Sequence, residues 1–182
     1  MAENLKNGDF YLCQSDIKEL LVRESSKDDY EKIKSLATKV FKARPDSHWA
    51  VVGFKRAQKT YVAELRGKIL GAVELEIIKL DSKRHGHIGY IFVDPDYQGM
   101  GIGKKLIQKA EEYFAKKNCV SVWALTDREN YKARKLFAGL GYKELKKDHV
   151  YDILGETAGK ILLRRMIYWE GDIILHKPLS YD

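Results

Sequence analysis

Residues 94 to 105, Asp-Pro-Asp-Tyr-Gln-Gly-Met-Gly-Ile-Gly-Lys-Lys, carry glycines at the alternate positions 99, 101 and 103, followed by Lys104 and Lys105. Successive backbone N–H groups at a helix start form a concavity for an anion, and the helix dipole adds to it. Glycines let a phosphate approach that backbone without meeting a Cβ. Three nucleotide patterns compete for the stretch. A Walker loop needs Gly five residues before a Gly-Lys pair and then Ser or Thr; here Gln98 and Lys105 stand at those places around Gly103-Lys104. A dinucleotide fingerprint needs G-x-G-x-x-G on the first strand of a βαβ unit. The spacing here is G-x-G-x-G, and antiparallel strands precede it. The third pattern, Q/R-x-x-G-x-G/A, is met by Gln98-Gly99-Met100-Gly101-Ile102-Gly103.

Other reactive side chains give less. Cys119 begins a strand and Cys13 lies in a stretch that is hard to place; neither has a His/Asp partner set by spacing. His48, His85, His87, His149 and His176 show no ligand spacing, so no metal is expected. Glu74 and Glu76 alternate with Val73, Leu75 and Ile77 in a strand pattern, which aims both carboxylates at one face. If helices cover that face, a carboxylate there needs a partner or a role.

The loop resembles the coenzyme A signature of the GNAT superfamily of N-acetyltransferases. Val93-Asp94-Pro95 matches the V-x-P that usually precedes it, and Asn130, Ala133, Leu136, Phe137, Gly141 and Tyr142 match the N-x-x-A-x-x-L-Y-x-x-x-G-F pattern that usually follows. The resemblance spans roughly residues 20 to 178, with 147–163 reading as an insertion.

That resemblance implies a mixed, mostly antiparallel splayed α/β sheet with helices on both faces, and acetyl-CoA as co-substrate. It implies direct attack by a primary amine on the thioester in a ternary complex. Gln98, Gly99, Met100, Gly101, Ile102, Gly103 and Lys104 would hold the pyrophosphate, Phe92 and Val93 would offer strand backbone to the pantetheine arm, and Asn130 would bond that arm. An ammonium with a pKa near 10.4 needs a base. His87 takes that position by analogy with protein-lysine acetylating members, and Glu76, with Glu74, is its rival. Phe137 stands where many members carry a tyrosine that protonates the leaving thiolate. Its ring can only pack against the coenzyme, which leaves the general acid to water or to Tyr90, Tyr151 or Tyr168.

The elements that must position these groups read as follows. The first 19 residues form an arm or an extra strand at "FYLC", and the rest one N-acetyltransferase domain, 20–182. "ELLVRES" is a strand. Ser26 and Asp29 form a capping box for a helix reaching Arg44-Pro45, and "SHWAVVGFKRAQ" is a second helix. "TYVAEL" and "KILGAVELEIIKL" form a hairpin about Arg66-Gly67-Lys68, and "HIGYIFV" is the next strand. A helix carries Ile102, Leu106, Ala110 and Phe114 on one face and ends near Asn118. "CVSVWALT" and "YKEL" are strands flanking the helix "NYKARKLFAGLG". "MIYWE-GD-IILHKPL" reads as a closing hairpin. Residues 147–163 fit a helix that Gly155 and Gly159 weaken. The total is about six to eight strands and about four helices.

Composition bounds the alternatives. At 182 residues, 45% apolar and 32% charged, the chain can bury a core. "MAENLKNGDFYLC" has no apolar signal core, no apolar run reaches membrane-span length, and the two cysteines have no framework spacing, so the cytoplasm is expected. The net charge of +7 suits an anionic ligand, yet the lysines are interspersed with acids, which does not favour nucleic acid. The expected partners are acetyl-CoA and an amine acceptor, a small molecule or a protein, with no membrane; a homodimer is left open. The competing function is a non-catalytic coenzyme A-binding regulatory module. Acceptor choice is expected to lie in residues 43–60, 81–87 and 147–163.

Overall fold

A computed structural model describes residues 19–42 and 45–179, with the side chains of 45–47 excepted. The expected N-terminal arm, with Cys13 and "FYLC", lies outside the described residues. The elements are β1 (Leu21–Glu24), α1 (Tyr30–Phe41), α2 (Pro45–Arg56), β2 (Lys59–Leu65), β3 (Lys68–Leu80), β4 (Lys83–Val93), α3 (Ile102–Lys116), β5 (Cys119–Thr126), α4 (Tyr131–Ala138), β6 (Lys143–Leu145), α5 (Lys147–Leu154), α6 (Glu156–Met166) and β7 (Ile173–Pro178). Seven strands form one sheet in the order β1-β2-β3-β4-β5-β7-β6. All neighbours are antiparallel except β4 and β5, which run parallel and are joined through the glycine loop and α3.

Local chemistry explains the frame. The β2–β3 hairpin turns on Arg66 and Gly67 at φ 50° and 80°, two left-handed residues of the kind that tight hairpins require. Before α1, Asp29 accepts the Ser26 N–H at 2.7 Å, and Arg23 grips the same carboxylate at 2.7 and 2.9 Å. Burial of that pair is compensated by these bonds, and Arg23 holds the carboxyl far below the usual range.

Helices cover both faces of the sheet. On one, Leu106, Ala110 and Phe114 of α3 and Phe137 of α4 pack with Val73, Leu75, Ile88, Val122 and Leu175. On the other, the even-numbered side chains of β3 from Ala72 onward meet two separate helix pairs. Ala72 lies under α1 and α2 with Ile33, Leu36 and Ala50, whereas Ile78 and Leu80 lie under α5 and α6 with Val150, Leu162 and Met166. Glu74 and Glu76 fall between the two pairs, on the single face that their alternation predicts.

Three expectations need correction. "MIYWE" is not a strand: Met166 completes α6, Ile167 terminates it at φ 60°, and β7 pairs with β5 and β6. Its β-branched and aromatic residues suit a strand, but tertiary packing of Met166 and Leu163 under the sheet face overrides that propensity. Among the described residues the α-helices number six because 147–163 divides at Gly155, φ 79°, into α5 and the start of α6. Gly159 serves the joint as a close approach, since a Cβ there would lie 2.5 Å from the Tyr151 ring. Finally, Lys83–Gly86 belong to β4, so most of 81–87 is strand and not loop. Among the described residues no helix is long and apolar enough to cross a membrane.

Candidate active site

The central parallel pair comes apart within the sheet. The β4–β5 ladder runs from Arg84/Cys119 to Ile88/Ala124, whereas β5 continues against β7 as far as Thr126/Ile173. Where the ladder ends, β4 bulges: Leu75 faces Ile88 but Val73 faces Ile91, so Gly89 and Tyr90 together stand opposite Glu74. A bulge bends its strand and sharpens the twist, which turns β4 away from β5. Residues 89–93 therefore keep β3 on one side and have no β5 ladder on the other. Backbone groups in such a segment need another partner. Phe92 and Val93 lie here. The Phe92 ring is buried against Phe41 and Phe54, and the Val93 carbonyl accepts the Gln98 side-chain N–H at 3.3 Å.

The glycine loop follows directly. Asp94 accepts the Asp96 N–H at 3.1 Å and, with Asp96, holds Lys39 of α1 at 2.6 Å. This ties α1 to the turn that leads into the loop. The three glycines have different reasons. Gly99 and Gly101 sit at φ 80° and 81°, and a Cβ on either would project into open space. Gly103 is helical, and a Cβ there would come within 2.9 Å of the end of the Leu136 side chain on α4, which a small shift of that side chain would relieve. α3 starts on Gly101 with neither a side-chain cap nor an acid in its first turn. Its first N–H groups have no intrahelical partners, and Lys104 belongs to the same turn. Uncapped N–H groups, a local cation and open space over two glycines suit an anionic group such as a pyrophosphate. Ile102 is buried in the core beneath the loop and Met100 is half-buried.

Asn130 caps α4, its Oδ1 accepting the Ala133 N–H at 3.1 Å, which leaves its amide N–H groups for another acceptor. Lys132, missed in the sequence, reaches Gln98 Oε1 at 3.1 Å and ties α4 to the loop. Phe137 is only 2% exposed, edge-on to Tyr142 at 4.9 Å. Its ring is committed to the core, so a coenzyme would meet it only after that packing opens.

The candidate bases lie on the opposite face, beside the bulge. His87 pairs across the ladder with Glu76, and its Nδ1 stands 3.6 Å from Glu76 Oε2. Arg165 of α6 contacts the other Glu76 oxygen. A carboxylate so close favours imidazolium, whereas burial favours neutral imidazole. Burial prevails and lowers His87 to about 4. His87 is thus a neutral imidazole near pH 7, with 11% of its side chain reaching solvent. Arg165 carries no motif; only the folded chain brings it here.

Glu74 is more enclosed. It is 7% exposed, its Oε1 accepts the Tyr90 N–H at 2.7 Å, and its Oε2 has no partner among the described residues. Gly53 of α2 and Gly89 of the bulge press on the carboxyl group, and a Cβ on either would overlap it. Burial outweighs the Tyr90 bond and raises its pKa to about 7. The folded-state value exceeds the ordinary 4.5, so this contribution to stability is whole below that pH and is lost as pH rises through about 7. Glu74→Gln keeps an acceptor for Tyr90. It is expected to gain ~2–3 kcal/mol over wild type in denaturant unfolding above pH 7 and to lose that advantage toward pH 5. An equal gap at both pH values would show that Glu74 stays ionised.

The remaining candidates lie in other surroundings. His85 bonds Ser121 at 2.9 Å, and His176 stacks 4.0 Å from Trp123; burial lowers both, His176 to about 4. Burial pushes the Cys119 thiol up to about 11, unsuited to a nucleophile. Tyr90 stands on the bulge, while Tyr151 and Tyr168 line a cavity beside α6. Among the described residues no group of three or more His, Cys, Asp or Glu is placed to hold a metal ion.

An open sheet splayed beside a glycine loop is the class that the architecture defines, and comparison with known proteins gives the family. The model of the acetyltransferase (GNAT) family matches residues 19–142. An uncharacterized N-acetyltransferase of Methanocaldococcus jannaschii is 31% identical over 156 residues, 75% of this chain and 69% of that protein. N-alpha-acetyltransferase 30 of Saccharomyces cerevisiae is 31% identical over 91 residues, 48% of this chain and 52% of that protein. Among solved structures, the PaiA N-acetyltransferase of Thermoplasma acidophilum in complex with coenzyme A superposes with a TM-score of 0.67 at 18% identity, covering 88% of this chain and 99% of that one. This chain belongs to the GNAT family of acetyltransferases, and its mixed, mostly antiparallel sheet is that of its structural neighbours.

Proposed function

We propose that the protein transfers an acetyl group from acetyl-CoA to a primary amine, with His87 as the base. The observation that carries this reading is one strand with two properties. β4 loses its β5 partner after Ile88, and one residue earlier it holds a neutral imidazole backed by Glu76 and Arg165. The pyrophosphate would lie over Gly99 and Gly101 against the α3 N-terminus. The arm would run along 89–93, with Asn130 offering an amide N–H.

The amine nitrogen then attacks the thioester carbon, a C–N bond forms and the C–S bond breaks. The nitrogen's proton passes to the His87 side, directly or through water. The thiolate leaves and takes a proton from solvent; a thiol pKa near 8.5 makes it a tolerable leaving group without a tyrosine at 137. The yeast relative named as an N-alpha-acetyltransferase supports a protein N-terminus as one acceptor class.

Labelled acetyl-CoA offered with small amines, free N-terminal peptides and lysine peptides tests the proposal. The expected result is stoichiometric acetyl product and free coenzyme thiol. Saturable coenzyme binding with no transfer to any acceptor above the uncatalysed rate would instead favour a regulatory coenzyme A-binding module.

A further inference from the structure

The end of α6 holds a residue where the backbone disfavours it. Ile167 terminates the helix at φ 60°, ψ 47°, its N–H bonding Arg164 O at 3.2 Å, while the Tyr168 N–H returns to Leu163 O at 3.0 Å. Helix ends of this form favour glycine, and a β-branched side chain there is strained. Burial does not explain the choice, because Ile167 is 69% exposed. Two residues on, Trp169 is 73% exposed. Its backbone is fixed: the Trp169 N–H bonds Asp172 Oδ2 at 2.9 Å and the Asp172 N–H returns to Trp169 O at 3.0 Å. A strained isoleucine and a held, exposed tryptophan point outward together. Strain kept without a packing benefit marks a functional surface.

Beside them opens a cavity of about 410 Å³, lined by Ile167, Tyr168 and Trp169 together with Lys147, Lys160 and Arg164, and by no carboxylate. Lys160 pairs with Glu156, but Lys147 and Arg164 have no ion pair among the described residues. The last turn of α6 also faces the candidate active site. Arg165 contacts Glu76, which lies beside His87, while the adjoining Arg164 and Ile167 line the cavity.

Resting on the acetyl-transfer reading, we infer that this surface docks a protein acceptor through a segment combining one or two carboxylates with an apolar side chain. The acceptor amine would then enter past Arg165. Trp and Arg are the residue types that carry most binding energy at such contacts. Nucleic acid fits less well, because only three cations line the surface, too few to track a phosphate backbone.

A fluorescent peptide with a free N-terminus, Leu and two Glu residues, and its Lys-for-Glu counterpart, test the inference in the full-length protein. The acidic peptide is expected to bind and be acetylated about tenfold better than the basic one. Lys147→Glu with Arg164→Glu should invert that preference. Ile167→Gly and Trp169→Ala should each raise Kd and KM for the acidic peptide about tenfold. Neither should alter transfer to a small diamine. Ile167→Gly should also leave Tm unchanged or higher, which separates lost docking from a damaged fold. Equal binding of both peptides, no effect of these variants, or displacement of the acidic peptide by a single-stranded oligonucleotide would overturn the inference. Failure of the chemistry itself would appear separately, as loss of transfer to every amine while anisotropy still reports peptide binding.

Discussion

Gly101→Val is expected to raise the Kd for acetyl-CoA by about 100-fold or more, with the fold retained. The wild-type backbone is left-handed at 101, and a Cβ there enters the open space in front of the α3 N-terminus. Valine has two effects: it resists φ 81°, at about 1–2 kcal/mol, and it fills the space the phosphates need. Gly101→Asn separates them, because asparagine tolerates the left-handed region yet still projects a side chain. If space is the cause, calorimetry will show both variants binding poorly while only the valine variant loses stability. Unchanged affinity in both would remove the pyrophosphate from this loop.

His87→Gln is expected to lower kcat/KM for amine acetylation at pH 7 by about 10²–10³-fold. The deficit should shrink toward pH 10, where the amine loses its proton unaided. A wild-type pH–rate profile in the variant would take His87 out of the mechanism. Stability gives an independent readout. The folded-state pKa of His87 is depressed to about 4 from 6.5, so its contribution is whole above 6.5 and is lost as pH falls through about 4. Glutamine does not titrate, and the variant should resist acid unfolding better than wild type in that window.

Much of this arrangement could be read from the chain. "KILGAVELEIIKL" and "CVSVWALT" coincide with β3 and β5 residue for residue, since alternation and β-branching report a strand's own environment. The loop was legible because glycine spacing reports backbone conformation directly. The setting of Gly103 was not: its neighbour Leu136 on α4 is a long-range contact with no local trace. Arg165 escaped for the same cause, since its pairing with Glu76 depends on how α6 crosses the sheet. The strand pattern of "MIYWE" misled because Ile167 and Trp169 are apolar for a surface and not for a core. Phe137 shows the reverse: the motif singles it out, yet only packing reveals a ring turned to Tyr142.

The position of β6 bears on how the molecule assembles. Among the described residues this three-residue strand pairs with β7 alone, and α5 and α6 lie between them in sequence. The β2–β3–β4 meander closes short loops, whereas joining Lys143 to His176 requires closing a long one, which is entropically later in folding. That edge belongs to the low end of the stability range. The amides of Lys143–Leu145 should exchange with solvent well before those of β3, so the sheet opens from its β6 edge first.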